Sequence, residues 1–177
     1  MTRPFLRHCL AAALLAVAPL GVHAQETIKI GLILPMTGPF ASTGRQIDAA
    51  ARLYLAQNGN SVAGKKVELV LRDDAGTADT TRRLAQELVV NEKVTALAGF
   101  GLTPLALATA PIATQSKTPM VVMAAATSSI IKASPYIVRT SFTLPQATVP
   151  IAEWAAKNGM KKAVTVSYTH LTLPTKA

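Results

Sequence analysis

Residues 28–44 read IKIGLILPMTGPFASTG, and the order of chemistry in that run decides the fold. Ile28 to Leu34 is apolar except for Lys29 and Gly31, the pattern of a strand buried on both faces rather than one alternating between core and water. Pro35 breaks it, and Thr37-Gly38-Pro39-Phe40-Ala41-Ser42 is made of residues that turn the chain. A helix is predicted next. Thr43 and Gln46 have the spacing of a capping box, and Ile47, Ala50, Ala51, Tyr54 and Leu55 return to one face at helical intervals.

Further along, the same succession repeats. The helix ends at Asn58-Gly59-Asn60, Val67 to Leu71 makes a second strand, and Asp73-Asp74-Ala75-Gly76 a loop. Asp79 is placed to cap a helix carrying Leu84, Leu88 and Val89. Thr95 to Ala98 is a third strand, stopped by Gly99. Thr103 then suits an N-cap and Pro104 the first helical position, with Pro111 expected to kink or restart that helix. Pro119 to Met123 reads as a fourth strand, Ala124 to Ser129 as a small polar loop, and Tyr136 to Thr140 as a short fifth strand or a crossover. Gln146 to Asn158 follows as a helix closed by Gly159, then Lys162 to Val166 as a strand. Strands alternating with helices imply an α/β protein, a parallel sheet with helices on both faces, because parallel strands need crossovers that cover the sheet.

In such sheets ligands bind beyond the carboxyl ends of the strands. That rule selects the loop after the first strand, the turn at Thr103 and the loop at Thr127, each rich in hydroxyls, amides or a helix start. Free amides and the positive end of a helix suit a carboxylate. Neither a G-x-x-x-x-G-K-[ST] nor a G-x-G-x-x-G run is present, so a nucleotide is disfavoured. Asp73-Asp74 is expected to serve turns and caps rather than metal or phosphoryl chemistry, and Arg139 an ion pair or the hinge.

Composition narrows the function classes. Half of the 177 residues are hydrophobic, enough for one packed lobe. The formal charge of +9 is scattered along the chain with few aromatic residues beside it, so nucleic acid is not the expected partner. Cys9 is the only cysteine, and the histidines are His8, His23 and His170. Nucleophile–histidine pairs and the common zinc sites therefore lack members, no cofactor is implied, and an enzyme is not expected. Arg3 and Arg7 precede an apolar run from Cys9 to Val22, followed by Val22-His23-Ala24. This is the three-part pattern of an export signal, with cleavage expected after Ala24 and delivery to the periplasm. The apolar run is shorter than the roughly 20 residues needed to span a bilayer as a helix.

Taken together and in order, IKIGLILPMTGPFASTG, DDAG (73–76), AGFGLTPLALATAP (98–111), TPMVVMAAATSS (118–129) and YIVRTSF (136–142) resemble the leucine/isoleucine/valine-binding family of periplasmic proteins. The resemblance spans Glu26 to about Val166. It implies the type I periplasmic-binding-protein fold, two α/β lobes joined by a hinge with the ligand between them. It also implies a role as the substrate-binding component of an ABC importer, with a membrane permease as partner and a branched-chain amino acid or similar small polar solute as ligand. The alternative is a sensor of the same fold for amides or small organic acids.

Thr103, Ala125 and Thr127 correspond to the family positions that hold the amino-acid head group, and Ser42 and Thr43 in the first loop complete the candidate set. Thr43 stands where some relatives carry an aromatic residue, and Pro104 removes an amide that others keep, which implies a more polar or larger pocket and leaves a branched-chain amino acid unassured; members of the family also take aromatic acids, amides, urea and other small organic acids. The expected organisation is a signal peptide over 1–24, a nearly complete first lobe over 25–143, the start of a second lobe over 144–166 and a tail over 167–177. That tail, Ser167 to Ala177, breaks the family pattern and resembles translated sequencing adapter, foreign to the protein.

Overall fold

The computed structural model describes residues 26–164. The predicted export signal and cleavage point, residues 165–166 of the predicted last strand, and the predicted tail lie outside the described residues. The elements are β1 (Thr27–Leu34), α1 (Ala41–Asn58), β2 (Ser61–Val62), β3 (Lys65–Asp73), α2 (Ala78–Val90), β4 (Ala96–Gly99), α3 (Thr103–Ser116), β5 (Met120–Val122), a 3₁₀ turn (Ser128–Lys132), β6 (Ile137–Arg139) and α4 (Leu144–Lys157). They form one six-stranded sheet in the order β2-β3-β1-β4-β5-β6.

The sheet is mostly parallel, as expected, with one departure. β2 pairs antiparallel with β3, Ser61 opposite Lys66 and Val62 opposite Lys65. Ala63 and Gly64 join them with φ of 50° and 78°, the left-handed pair that a tight hairpin demands. The hairpin also starts β3 at Lys65, ahead of the predicted Val67, because the antiparallel partner gives those polar residues a ladder to join.

β1 lies between β3 and β4, paired with both in parallel. The chain leaves β1 toward one edge, returns, and then proceeds from β4 toward the other. The strand order therefore reverses between β1 and β4, the position where open α/β sheets gather ligands. Side chains of the central strands alternate between two apolar clusters. Ile33 and Leu97 face α2 and α3, with Leu88, Phe100, Ala110, Met120 and Ile130, all buried. Leu32, Leu34 and Ala98 face the other way, against Ile47 of α1. A fully buried Leu or Phe contributes about 1.5–3 kcal/mol, so the first cluster carries most of the lobe's stability.

The second face is thinly covered. Ile30, Leu71, Val121 and Met123 are only half-buried there. On α1 the inward stripe is Gly44, Ile47, Ala51 and Leu55, whereas the predicted Ala50 and Tyr54 are exposed, Tyr54 at 66%. α4 has no buried residue, and Leu144, Val149, Ile151 and Trp154 stand exposed along it. Residues 161–164, the described part of the predicted last strand, form no strand. α3 runs through Pro111 as one helix rather than restarting.

Candidate functional site

Glycine and a left-handed phenylalanine build the switch point. Gly99 ends β4 at φ 114°, and a Cβ there would sit 2.1 Å from the carbonyl oxygen of Ile33, so only glycine lets β4 lie this close to β1. Phe100 follows at φ 65° while fully buried. A left-handed bulky residue costs on the order of 1–3 kcal/mol, offset here by burial of the ring and by hydrogen bonds on both sides of the residue. Its amide donates to the Ile33 carbonyl at 3.0 Å and its carbonyl accepts from the Ala125 amide at 3.0 Å. Met123 donates to the Gly99 carbonyl at 2.8 Å. The loops after β4 and β5 are thus laced to each other and to β1.

That lacing brings two predicted residues together. The hydroxyls of Thr103 and Thr127 lie 2.7 Å apart. Neither hydroxyl is a cap. The N-cap of α3 is Leu102, without a side-chain hydrogen bond, and Thr127 holds the N-cap position of the 3₁₀ turn without its hydroxyl bonding that turn. The expectation that Thr103 caps its helix is therefore corrected, since its hydroxyl faces the neighbouring loop instead. Both threonines are half-buried. The amides of Thr103, Ala126 and Thr127 have no acceptor among the described residues, and Thr103 opens a fourteen-residue helix whose positive end lies at this edge. Ala125 is buried at 2% exposure with its amide committed to Phe100, so that residue offers the site a wall rather than a donor.

Ser42 and Thr43 lie apart from this pair. Both are exposed in the first turn of α1, and no hydrogen bond joins them to Thr103 or Thr127 among the described residues. The capping box expected at Thr43 and Gln46 does not form. α1 has already begun at Ala41 on the Phe40 carbonyl, which accepts from Thr43 at 3.0 Å, and Gln46 reaches Ser42 instead, at 3.4 Å. A Cβ on Gly44 would meet the Pro35 carbonyl oxygen at 2.2 Å, so the first turn of α1 sits directly on the β1 loop.

Asp73 and Asp74 fasten loops. Asp73 accepts from the Met36 amide at 2.8 Å, the Thr37 hydroxyl at 2.7 Å and the Ala75 amide at 2.8 Å. Burial pushes its carboxyl up, but the bonds from Thr37, Ala75 and Met36 outweigh it and hold the pKa below the ordinary value. Asp74 is fully buried and accepts from Gly76 at 2.9 Å and Thr81 at 3.2 Å. Burial raises its pKa, helped by the charge of Asp73. Both acids thus serve turns, as expected. The predicted cap at Asp79 falls instead to Thr77, and Asp79 pairs with Arg82 in the first turn of α2.

Arg139, at the end of β6, makes no ion pair among the described residues. Its Nη2 donates to the Thr127 carbonyl, while Nε and Nη1 are buried without an acceptor, as is the hydroxyl of Ser141. No local sequence pattern marks this contact, which depends on β6 lying beside β5. A cavity of about 570 Å³ lined by Arg52, Leu55, Asn60, Val67 and Leu69 lies at the amino-terminal half of β3, away from the loop cluster. No helix start converges there, and we do not assign it as the site.

An open, doubly wound α/β lobe with its hydroxyls and free amides at the strand reversal is the class the fold and edge define. The chain belongs to the periplasmic binding protein family, whose model matches residues 27–172. It is 48% identical over 161 residues to the Leu/Ile/Val-binding protein homolog 6 of Brucella abortus (strain 2308), an alignment covering 89% of this chain and 41% of that protein. Among solved structures it is similar to a solute-binding protein of an ABC transporter from Rhodopseudomonas palustris BisB5 in complex with 3,4-dihydroxybenzoic acid. That match has 63% identity and a TM-score of 0.75, covering 76% of this chain and 37% of that one. A second solute-binding protein from R. palustris, in complex with 4-hydroxybenzoate, matches at 48% identity and a TM-score of 0.74, over 76% of this chain and 37% of its own. The chain therefore spans about two-fifths of the length of these relatives.

Proposed function

We propose that this chain is the ligand-receiving lobe of an exported solute-binding protein that serves an ABC importer, and that its solute is a small carboxylic acid, in the first place an aromatic one. The observation that carries the reading is the Thr103–Thr127 hydroxyl pair, free of capping duty and set among unpaired amides at the strand reversal. Hydroxyls and amides at a helix start stabilise a carboxylate without a counter-charge. The aromatic preference is supported by the 63% identity to a protein that holds 3,4-dihydroxybenzoic acid. A branched-chain amino acid is the second reading, favoured by the 48% identity to a Leu/Ile/Val-binding homologue.

In this reading the protein binds and does not catalyse. The remaining three-fifths of the parent supplies a second lobe, closure about the crossover at 140–143 excludes water, and the closed form docks on the membrane permease. Ser42, Thr43 and Ala125 border the ligand rather than carry its charge. Export follows cleavage after Ala24. Calorimetric titration of the full-length parent with 4-hydroxybenzoate, 3,4-dihydroxybenzoate, leucine, isoleucine and valine tests the proposal. Tight binding of a benzoate supports the first reading and of an amino acid the second, and failure of all five to bind overturns both.

A further inference from the structure

Arg139 presents an imbalance that the fold alone does not resolve. Two of its guanidinium nitrogens are buried without an acceptor, and no carboxylate pairs with it among the described residues. Arg139 as a whole is only half-buried, but a buried donor left without an acceptor is costly to keep. The acids at the carboxyl edge of β3 do not balance it. Asp73 and Asp74 are engaged with Met36, Thr37, Ala75, Gly76 and Thr81, and β3 lies four strands from β6, roughly 19 Å at ordinary strand spacing.

The one bond Arg139 makes is to the Thr127 carbonyl, and Thr127 carries the hydroxyl that meets Thr103. The guanidinium therefore reaches the hydroxyl pair through a single residue. The free amides and the start of α3 at that edge carry partial positive charge as well.

We propose that Arg139 is the positioning and charge-selecting residue of this site: it fixes the Thr127 loop by its carbonyl, and its uncompensated charge makes the site prefer a carboxylate over the neutral amide of the same shape. This rests on the carboxylate reading above and adds the residue that enforces it. Binding of the anion supplies the missing negative charge, so the cost of the unpaired donors falls when the ligand arrives.

The experiment uses the full-length parent and two probe pairs, 4-hydroxybenzoate with 4-hydroxybenzamide and isoleucine with isoleucinamide, titrated by calorimetry against wild type, Arg139→Lys and Arg139→Gln. Lysine keeps the charge, and glutamine keeps a donor for the Thr127 carbonyl without it. Loss of a charge acting on a charged ligand group is expected to weaken carboxylate binding by about ten- to a hundredfold. Arg139→Gln should show that loss with the amide little changed, so that acid-over-amide discrimination collapses, while Arg139→Lys keeps most of it. A purely structural role would weaken acid and amide in the same proportion, leave the ratio unchanged, and overturn the proposal. Thermal melting checks that each variant is folded. Should Arg139→Gln not fold, the lysine variant still decides: discrimination lost despite a retained charge refutes the charge-selecting role. A wild type that binds neither acid refutes the carboxylate reading itself, an outcome distinct from an unchanged ratio.

Discussion

Replacing Thr127 by valine removes a hydroxyl while keeping the side chain's shape, and the structure sets what that should cost. The residue lies at φ −66° and ψ 125°, where a β-branched side chain is at ease, so no backbone strain is introduced. Its hydroxyl has one partner, Thr103 at 2.7 Å, and both groups are half-buried, so water can replace the lost bond. The stability change should stay within about 1 kcal/mol. A hydrogen bond to a charged carboxylate is worth more, about 1.5–3 kcal/mol, which is about ten- to a hundredfold in affinity. Calorimetry on the full-length parent, with the acid identified by the screen above, should therefore show a large rise in Kd at nearly constant Tm, and Thr127→Ser should restore binding. If Thr103→Val, Thr127→Val and the double variant bind as wild type does, the hydroxyl pair is not the ligand's seat.

Three further outcomes follow from the same geometry. Gly99→Ala drives a methyl into the Ile33 carbonyl at φ 114° and should destabilise the first lobe by about 3 kcal/mol, read as a fall in Tm; an unchanged Tm would mean that β1 and β4 are not so closely apposed. The depressed pKa of Asp73 contributes stability above its ordinary value of 3.8, and this is lost as pH falls through the lower folded value. The raised pKa of Asp74 acts oppositely, its contribution fading as pH rises through the folded value. Asp73→Asn should thus flatten the acid limb of a Tm-against-pH curve, and a steeper limb would contradict the assignment. A fragment of residues 25–166 should bind the parent's acid only near millimolar, because half of a micromolar site's contacts remain and each competes with water; affinity equal to the full-length parent would show that closure of a second lobe is dispensable.

The strand–helix order was legible because β1 and β4 are apolar runs closed by Pro35 and Gly99, and the acids after β3 mark its turn; these signals are local. The capping boxes show where local reading misleads. Thr43-Gly-Arg-Gln46 and Thr143-Leu-Pro-Gln146 share one pattern. Only the second is a cap, with the Gln146 side chain accepting from the Thr143 amide at 2.7 Å. The first fails because Gly44 lets the helix start earlier, against Pro35. The helical period alone places Ala50 and Tyr54 on the inward face of α1, but α1 is the one helix on that side of the sheet among the described residues and its flanks stay in water. Within the site, Thr103 and Thr127 were found from their loops and from resemblance, and their contact needed the strand order to bring them together. Arg139's bond to Thr127 had no sequence signal, since it arises from β6 lying beside β5.

The threading of Phe100 bears on the entropy of binding. Its amide holds β1 and its carbonyl holds Ala125, while Gly99 holds Met123. The loops that would receive a ligand are thus already tied down by main-chain bonds before any solute arrives. Ordering a mobile loop at the moment of association lowers affinity, and here that loss has been taken during folding, at the expense of a left-handed phenylalanine. The amide protons of Phe100 and Ala125 should accordingly exchange with solvent as slowly in the empty protein as in the occupied one, and changes in protection on ligand addition should fall on the crossover at 140–143 instead.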